Sequence, residues 1–268
     1  MNFKRIQWIF IIAFVLLDIG LCVSLLMGTQ FHNTGKQQSQ TQITLKEMKN
    51  DLISVGPLSD KRRNGYYTAA QSNKAWTSNN RVNQLRGQTA RFNDGIVNST
   101  FQKNIKLRTG ASQQQQLDKV VHSNLILHGK QYSYNEDLST AKQIVYTQTI
   151  KDQPVLDRAG QIKFHVNNNH EVTGYTQGYL SEFKILRPRA MTISQQQAVT
   201  WLYRHNQINN NSRITHVIFG YSKIQKNGNQ VVFVPIWTVN VKNKAGGSAQ
   251  SLRVNAFSGT LFKMSTNN

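Results

Sequence analysis

Cysteine occurs once in this 268-residue chain, at Cys22, so a disulfide framework is excluded. A second long apolar run is missing too, which argues against a multi-span membrane protein. Acidic residues are few: 12 Asp and Glu face 32 Lys and Arg, for a formal net charge of +20. An acidic disordered chain is therefore excluded by sign. The shortage is uneven, because residues 183–268 hold eleven Lys and Arg and no Asp or Glu. That stretch cannot supply a side-chain carboxylate for acid/base work, a calcium cage or the acidic member of a catalytic triad.

Reactive motifs are absent as well. There is no phosphate-binding G-x-x-x-x-G-K-[ST], no G-x-G-x-x-G, no H-E-x-x-H and no G-x-S-x-G. The seven histidines lack metal-ligand spacing, and Glu136-Asp137 are adjacent, where successive side chains diverge. The expectation is a protein that is not an enzyme, with no metal and no cofactor.

What is present starts at the N-terminus. Residues 6–27 are mostly apolar and follow Lys4 and Arg5. As a helix they would span about 33 Å, enough for one membrane crossing. The positive-inside rule keeps the N-terminus cytoplasmic and places the rest outside the cell membrane. A cleaved signal peptide or a lipoprotein signal is the alternative. No A-x-A-like site follows, and Leu21 stands before Cys22 where a lipoprotein signal needs a small side chain. Asp18 shares a helical face with Ile11, Phe14, Val15, Leu21, Cys22 and Leu25. A carboxylate at that depth costs about 2.5–3.5 kcal/mol on insertion scales. It either faces a partner helix or is tolerated with local water.

Beyond the anchor, Asn and Gln are abundant at 27 each, and residues 57–108 carry ten basic groups against Asp60 and Asp94. An exported domain with this charge suits anionic lipid or wall polymer better than nucleic acid, although a merely solvated basic surface has the same composition. Residues 28–43 read as a flexible tether. Thr44/Glu47, Ser112/Gln115 and Ser194/Gln197 have capping-box spacing and predict three short helices. The last has Ala198, Trp201, Leu202, His205 and Ile208 inward. Alternation predicts strands at 144–150, 161–166, 172–180, 214–221, 231–241, 251–257 and 261–264. Even spacing puts Tyr132 with Tyr134, and Tyr175 with Tyr179, on sheet faces. Residues 56–110 show no assignable pattern. The plan is α+β: one transmembrane helix (1–27), the tether, then antiparallel sheets with a few packed helices. The domain divides into 44–157 and 158–268, with a boundary near 187 as the alternative.

Several strings are distinctive: LILHGKQYSYNEDL (125–138), YTQTIKDQPVLDRAGQIKFHV (146–166), VTGYTQGYL (172–180), ITHVIFGYSK (214–223), VPIWTVNV (234–241) and RVNAFSGTLF (253–262). With the MNFKRIQWIF start, they resemble the YycI (WalI) family of low-GC Gram-positive bacteria. The resemblance implies a single-pass membrane protein with an extracytoplasmic α+β domain. It also implies a YycH-family partner and the sensor histidine kinase WalK (YycG), which controls cell-wall metabolism. The family has no catalytic residues to carry over, and its membrane helix contributes to kinase contact. Ile11, Phe14, Val15, Asp18, Leu21 and Leu25 are the candidate interface. The closing W-x-V…V-N-A-F-S-G-x-L also resembles the terminal hairpin of PepSY-type domains.

Overall fold

Between Asn93 and Ile96 the chain reverses in two residues, Asp94 (φ 46°) and Gly95 (φ 76°), both left-handed. That geometry matches the twist of the strands it joins, and Asp-Gly is well suited to it. The hairpin opens a six-stranded antiparallel sheet in a computed structural model that describes residues 8, 11–19, 40–72, 81–108, 112–246 and 249–262. Two compact units are present, residues 1–44 and 45–268.

In the first unit, Trp8 and residues 11–19 are helical, and Gln40–Thr44 begin a second helix. From Ile11 to Ile19, every large apolar side chain is more than half exposed. No helix among the described residues is long and apolar enough to cross a membrane. The span 6–27 lies largely outside the described residues, as do 28–39 of the expected tether.

Among the described residues three α-helices are complete: α1 (Gln40–Asn50), α2 (Gln113–Val121) and α3 (Gln195–Arg204). Ser112 caps α2 by accepting from Gln115 N–H, and Ser194 with Gln197 forms the full reciprocal box of α3. The spacing at Thr44/Glu47 misplaced α1. The helix starts at Gln40, and the Thr44 hydroxyl donates back to the Gln40 carbonyl (3.0 Å) as an interior residue. Residues 40–43 are thus helix and not tether.

The strands are β1 (Asn64–Gly65), β2 (Thr68–Ser72), β3 (Gln88–Asn93), β4 (Ile96–Lys106), β5 (Ser133–Tyr134), β6 (Gln143–Thr147), β7 (Thr149–Ile150), β8 (Gln153–Pro154), β9 (Gln161–Val166) and β10 (Glu171–Gly178). They continue with β11 (Leu180–Ile185), β12 (Ala190–Met191), β13 (Ser212–Asn227), β14 (Gln230–Asn243) and β15 (Ala249–Asn255). The first sheet runs β3-β4-β10-β9-β6-β5. One face packs Val97, Phe101, Ile162, Phe164 and Tyr175 against Leu117 and Val121 of α2. The β9–β10 turn uses the Asn run: Asn167 Oδ1 accepts from the N–H groups of Asn169 and Glu171 (2.9 Å each).

The second sheet is built on β14. All of β13 pairs with one edge of it, while β2 and β15 share the other. Gln230–Phe233 take β2 and Ile236–Lys242 take β15, with β11 beyond β2. Pro235, which has no N–H to give, stands where the edge changes partner. The Trp237, Val239 and Val241 face packs with Val254, α3's Ala198, Val199 and Leu202, and Met48 of α1. Residues 157 and 158 fall between β6 and β9, which pair directly. The segment 64–72 pairs with strands from the C-terminal half, as β1-β12 and β2-β14.

The chain crosses from the first sheet to the second at Tyr179. There the buried Gln148 side chain donates to the Leu180 carbonyl and accepts from the Leu180 N–H, both at 2.8 Å. Just before the crossing, Gln177 Nε2 donates to the Leu127 carbonyl (2.6 Å). Side chains of the first sheet and its loops thus take the backbone bonds that regular pairing cannot supply here.

Candidate functional site

The sequence candidates meet the structure unevenly. Ile11, Phe14, Val15 and Asp18 lie on one helical segment, whereas Leu21 and Leu25 lie outside the described residues. Tyr132, Tyr175 and Tyr179 are buried core residues, and burial pushes the Tyr132 and Tyr175 phenols upward. No group of three or more His, Cys, Asp or Glu among the described residues is placed to hold a metal.

A polar surface that sequence reasoning missed lies on the face of the first sheet opposite α2. Register aligns Arg91 (β3), Asn98 (β4), Thr176 (β10) and Lys163 (β9) in a single row across four strands. The next row holds Thr89, Thr100, Gly174 and His165. Two recesses of about 340 and 490 Å³ open on this face and share Asn98 and Thr176. At one end the Asp94 carboxylate pairs with Arg158 (2.9 Å) and lies 3.9 Å from the Lys226 ammonium.

The electrostatics are lopsided. Burial lowers the Lys163 ammonium below its ordinary range; Asp157 opposes that shift, while Arg253 and Arg158 add to it. Partial burial and then the Lys163 charge lower His165. At the sheet's other side, burial and then Arg81 lower His128, whose ring stacks on Tyr179 with centroids 4.2 Å apart.

These two imidazoles set a pH dependence. The unfolded chain takes up their protons near pH 6.5, whereas the folded chain resists until lower pH. The unfolded state therefore binds more protons in that window, and stability falls as pH drops below about 6.5. Thermal midpoints between pH 7.5 and 5 should show this fall. The double variant His128→Asn/His165→Asn should flatten it, Asn tolerating the left-handed backbone of position 128 (φ 54°). An unchanged acid-side slope in the double variant would refute the assignment.

The described residues define an α+β protein whose two larger sheets are antiparallel, with a cationic recessed face on one of them. The particular lineage is plain. A family model described as YycI protein matches residues 32–257, and the chain belongs to the YycI family. Membership suggests a regulatory accessory role in the WalK/WalR two-component system. No curated protein matches the chain. Among solved structures, an uncharacterized protein from Eubacterium rectale ATCC 33656 is similar at 8% identity, with a TM-score of 0.44, covering 79% of this chain and 89% of its own. The Bacillus megaterium YpeB C-terminal domain is similar at 11% identity, with a TM-score of 0.34, covering 85% of this chain and 96% of its own.

Proposed function

We propose that this chain is a membrane-anchored accessory protein that biases the sensor kinase WalK, working beside a YycH-family protein, with its N-terminus cytoplasmic and residues beyond 27 outside. Family membership over residues 32–257 carries this reading. The segment 11–19 supports it, since apart from Asp18 its side chains are all apolar and the large ones are exposed all round, which calls for lipid or protein around it. Residues 1–27 are then the anchor, and the role requires no catalytic group and no cofactor.

Ile11, Phe14, Val15 and Asp18 follow the spacing of one helical face, and Leu21 and Leu25 extend it. Packing by the apolar members supplies most of the association with the kinase's membrane helices. Interhelical hydrogen bonds average only about 0.6 kcal/mol in membranes, so Asp18 fixes register more than affinity. A kinase whose two states differ by a few kcal/mol needs only that much differential contact to change its output.

The test replaces residues 6–27 with an unrelated apolar anchor and, separately, makes Asp18→Leu. Both should insert and fold. The swap should abolish co-purification of the kinase from detergent extracts, and Asp18→Leu should alter kinase output. If neither variant changes either readout, the transmembrane mechanism is wrong.

The second reading is an extracytoplasmic binding module for anionic envelope polymer or lipid. The net charge of +20 and the recessed cationic face favour it.

A further inference from the structure

The row Arg91–Asn98–Thr176–Lys163 places a cation at each end and two hydrogen-bonding side chains between them. Strands lie about 4.8 Å apart, so the end residues are separated by roughly 14 Å. Neither Arg91 nor Lys163 has a carboxylate within ion-pair distance among the described residues. Asp94, at the rim, is already engaged by Arg158 and Lys226. Asp157, the other acid near Lys163, is buried and caps the Ala159 N–H (3.0 Å).

A half-buried ammonium near the Arg253 and Arg158 guanidinium groups, offset only by the buried Asp157, is a costly arrangement for a surface whose only task is to be wet. Like charges repel, and partial burial removes water that would screen them. A bound anion would reverse both costs. A single phosphate would satisfy one end of the row, whereas successive phosphates on one chain could satisfy both. The two recesses share Asn98 and Thr176, so one extended chain could run through both, from Arg91 in one to Lys163 in the other.

We propose that the open face of the first sheet binds a soluble phosphodiester chain with hydroxylated linkers. Arg91 and Lys163 each hold a phosphate, and Asn98 and Thr176 hydrogen-bond the linkers between them. This inference rests on the second reading above and is independent of the kinase. Charge-assisted contacts of this kind contribute more than neutral ones and specify geometry.

The experiment uses the full chain in detergent and a short glycerol-phosphate oligomer as probe, with binding followed by calorimetry at low salt. Lys163→Met and Arg91→Gln should each weaken binding roughly tenfold or more, as expected for one lost contact to a charged group. Lys184→Met, on β11 away from the row, should bind like the parent. Lys163→Met removes a half-buried charge that only Asp157 offsets, so its thermal midpoint should stay close to the parent's, and exposed Arg91 provides a second variant in which folding is not at issue. Inorganic phosphate should compete weakly, and phosphatidylglycerol added as detergent mixed micelles should not compete. Competition by phosphatidylglycerol that depends on Lys163 would make a lipid headgroup the ligand and overturn the polymer assignment. Salt-sensitive binding that both variants retain in full would overturn the assignment to the Arg91–Lys163 row while leaving the general reading standing. No binding of any probe at low salt would overturn both.

Discussion

Phe164→Ala is expected to destabilise the fold by about 3–5 kcal/mol, the usual cost of deleting a fully buried aromatic ring. Phe164 is wholly buried in the middle of β9, paired with Tyr175 on one side and Ile144 on the other. Its ring meets Tyr146 edge-on at 5.9 Å and Tyr175 at 5.8 Å. The Tyr146 hydroxyl is fixed in turn by Asp118 of α2 (2.8 Å), so the ring stack cannot collapse into the hole without losing that bond. Natural domains are stable by only about 5–15 kcal/mol, and the variant should stand near the edge of folding. Urea denaturation followed by near-ultraviolet circular dichroism would measure the shift. A loss under about 1 kcal/mol would mean that this core is not the packed one described.

Gln148→Leu should have a comparable effect from a different cause. The substitution keeps the volume of the side chain and adds apolar surface, so a purely hydrophobic account expects little change or a gain. Its cost is polar. Leu180 is fully buried, and both its N–H and its carbonyl are bonded by the Gln148 amide. Leaving a buried polar group unpaired costs about 1–3 kcal/mol, and here two are stranded together. Urea midpoints of Gln148→Leu against Gln148→Asn, whose shorter amide cannot reach both groups, would test the idea. Parent-like stability of Gln148→Leu would show that the crossing has another source of hydrogen bonds.

Where local chemistry decides structure, the sequence was legible. Ser112 and Ser194 start their helices as their spacing predicts, and the Asn167–Asn169 turn falls between β9 and β10. Gln161–Val166 is a strand at the expected limits. Thr44 misled because its hydroxyl can bond forward as a cap or backward inside a helix, and the spacing is the same for both. Within 56–110 the reasons differ. The hairpin at Asp94-Gly95 carried a readable signal, since Val97, Ser99 and Phe101 alternate inward from it. By contrast β2 reads Thr-Ala-Ala-Gln-Ser, and four of its five residues are buried. Burial on both faces between β11 and β14 erases the period-two pattern. The row from Arg91 to Lys163 was hidden for a third reason. Its members come from four strands, and only the strand order and register bring them together.

The divided edge of β14 has a consequence for how the chain is made. A polypeptide is synthesised from its N-terminus, and a segment can fold only once its partners have emerged. The strands from β3 to β10 are contiguous in the chain, so the first sheet can assemble while the last strands are still inside the ribosome. Strand β2 cannot. It must wait, unpaired, through the whole of that sheet until β11 and then β14 arrive. Strand β15 then closes the remaining stretch of the same edge last. Its short length and its glutamine and small residues make β2 a poor template for stray pairing during that wait.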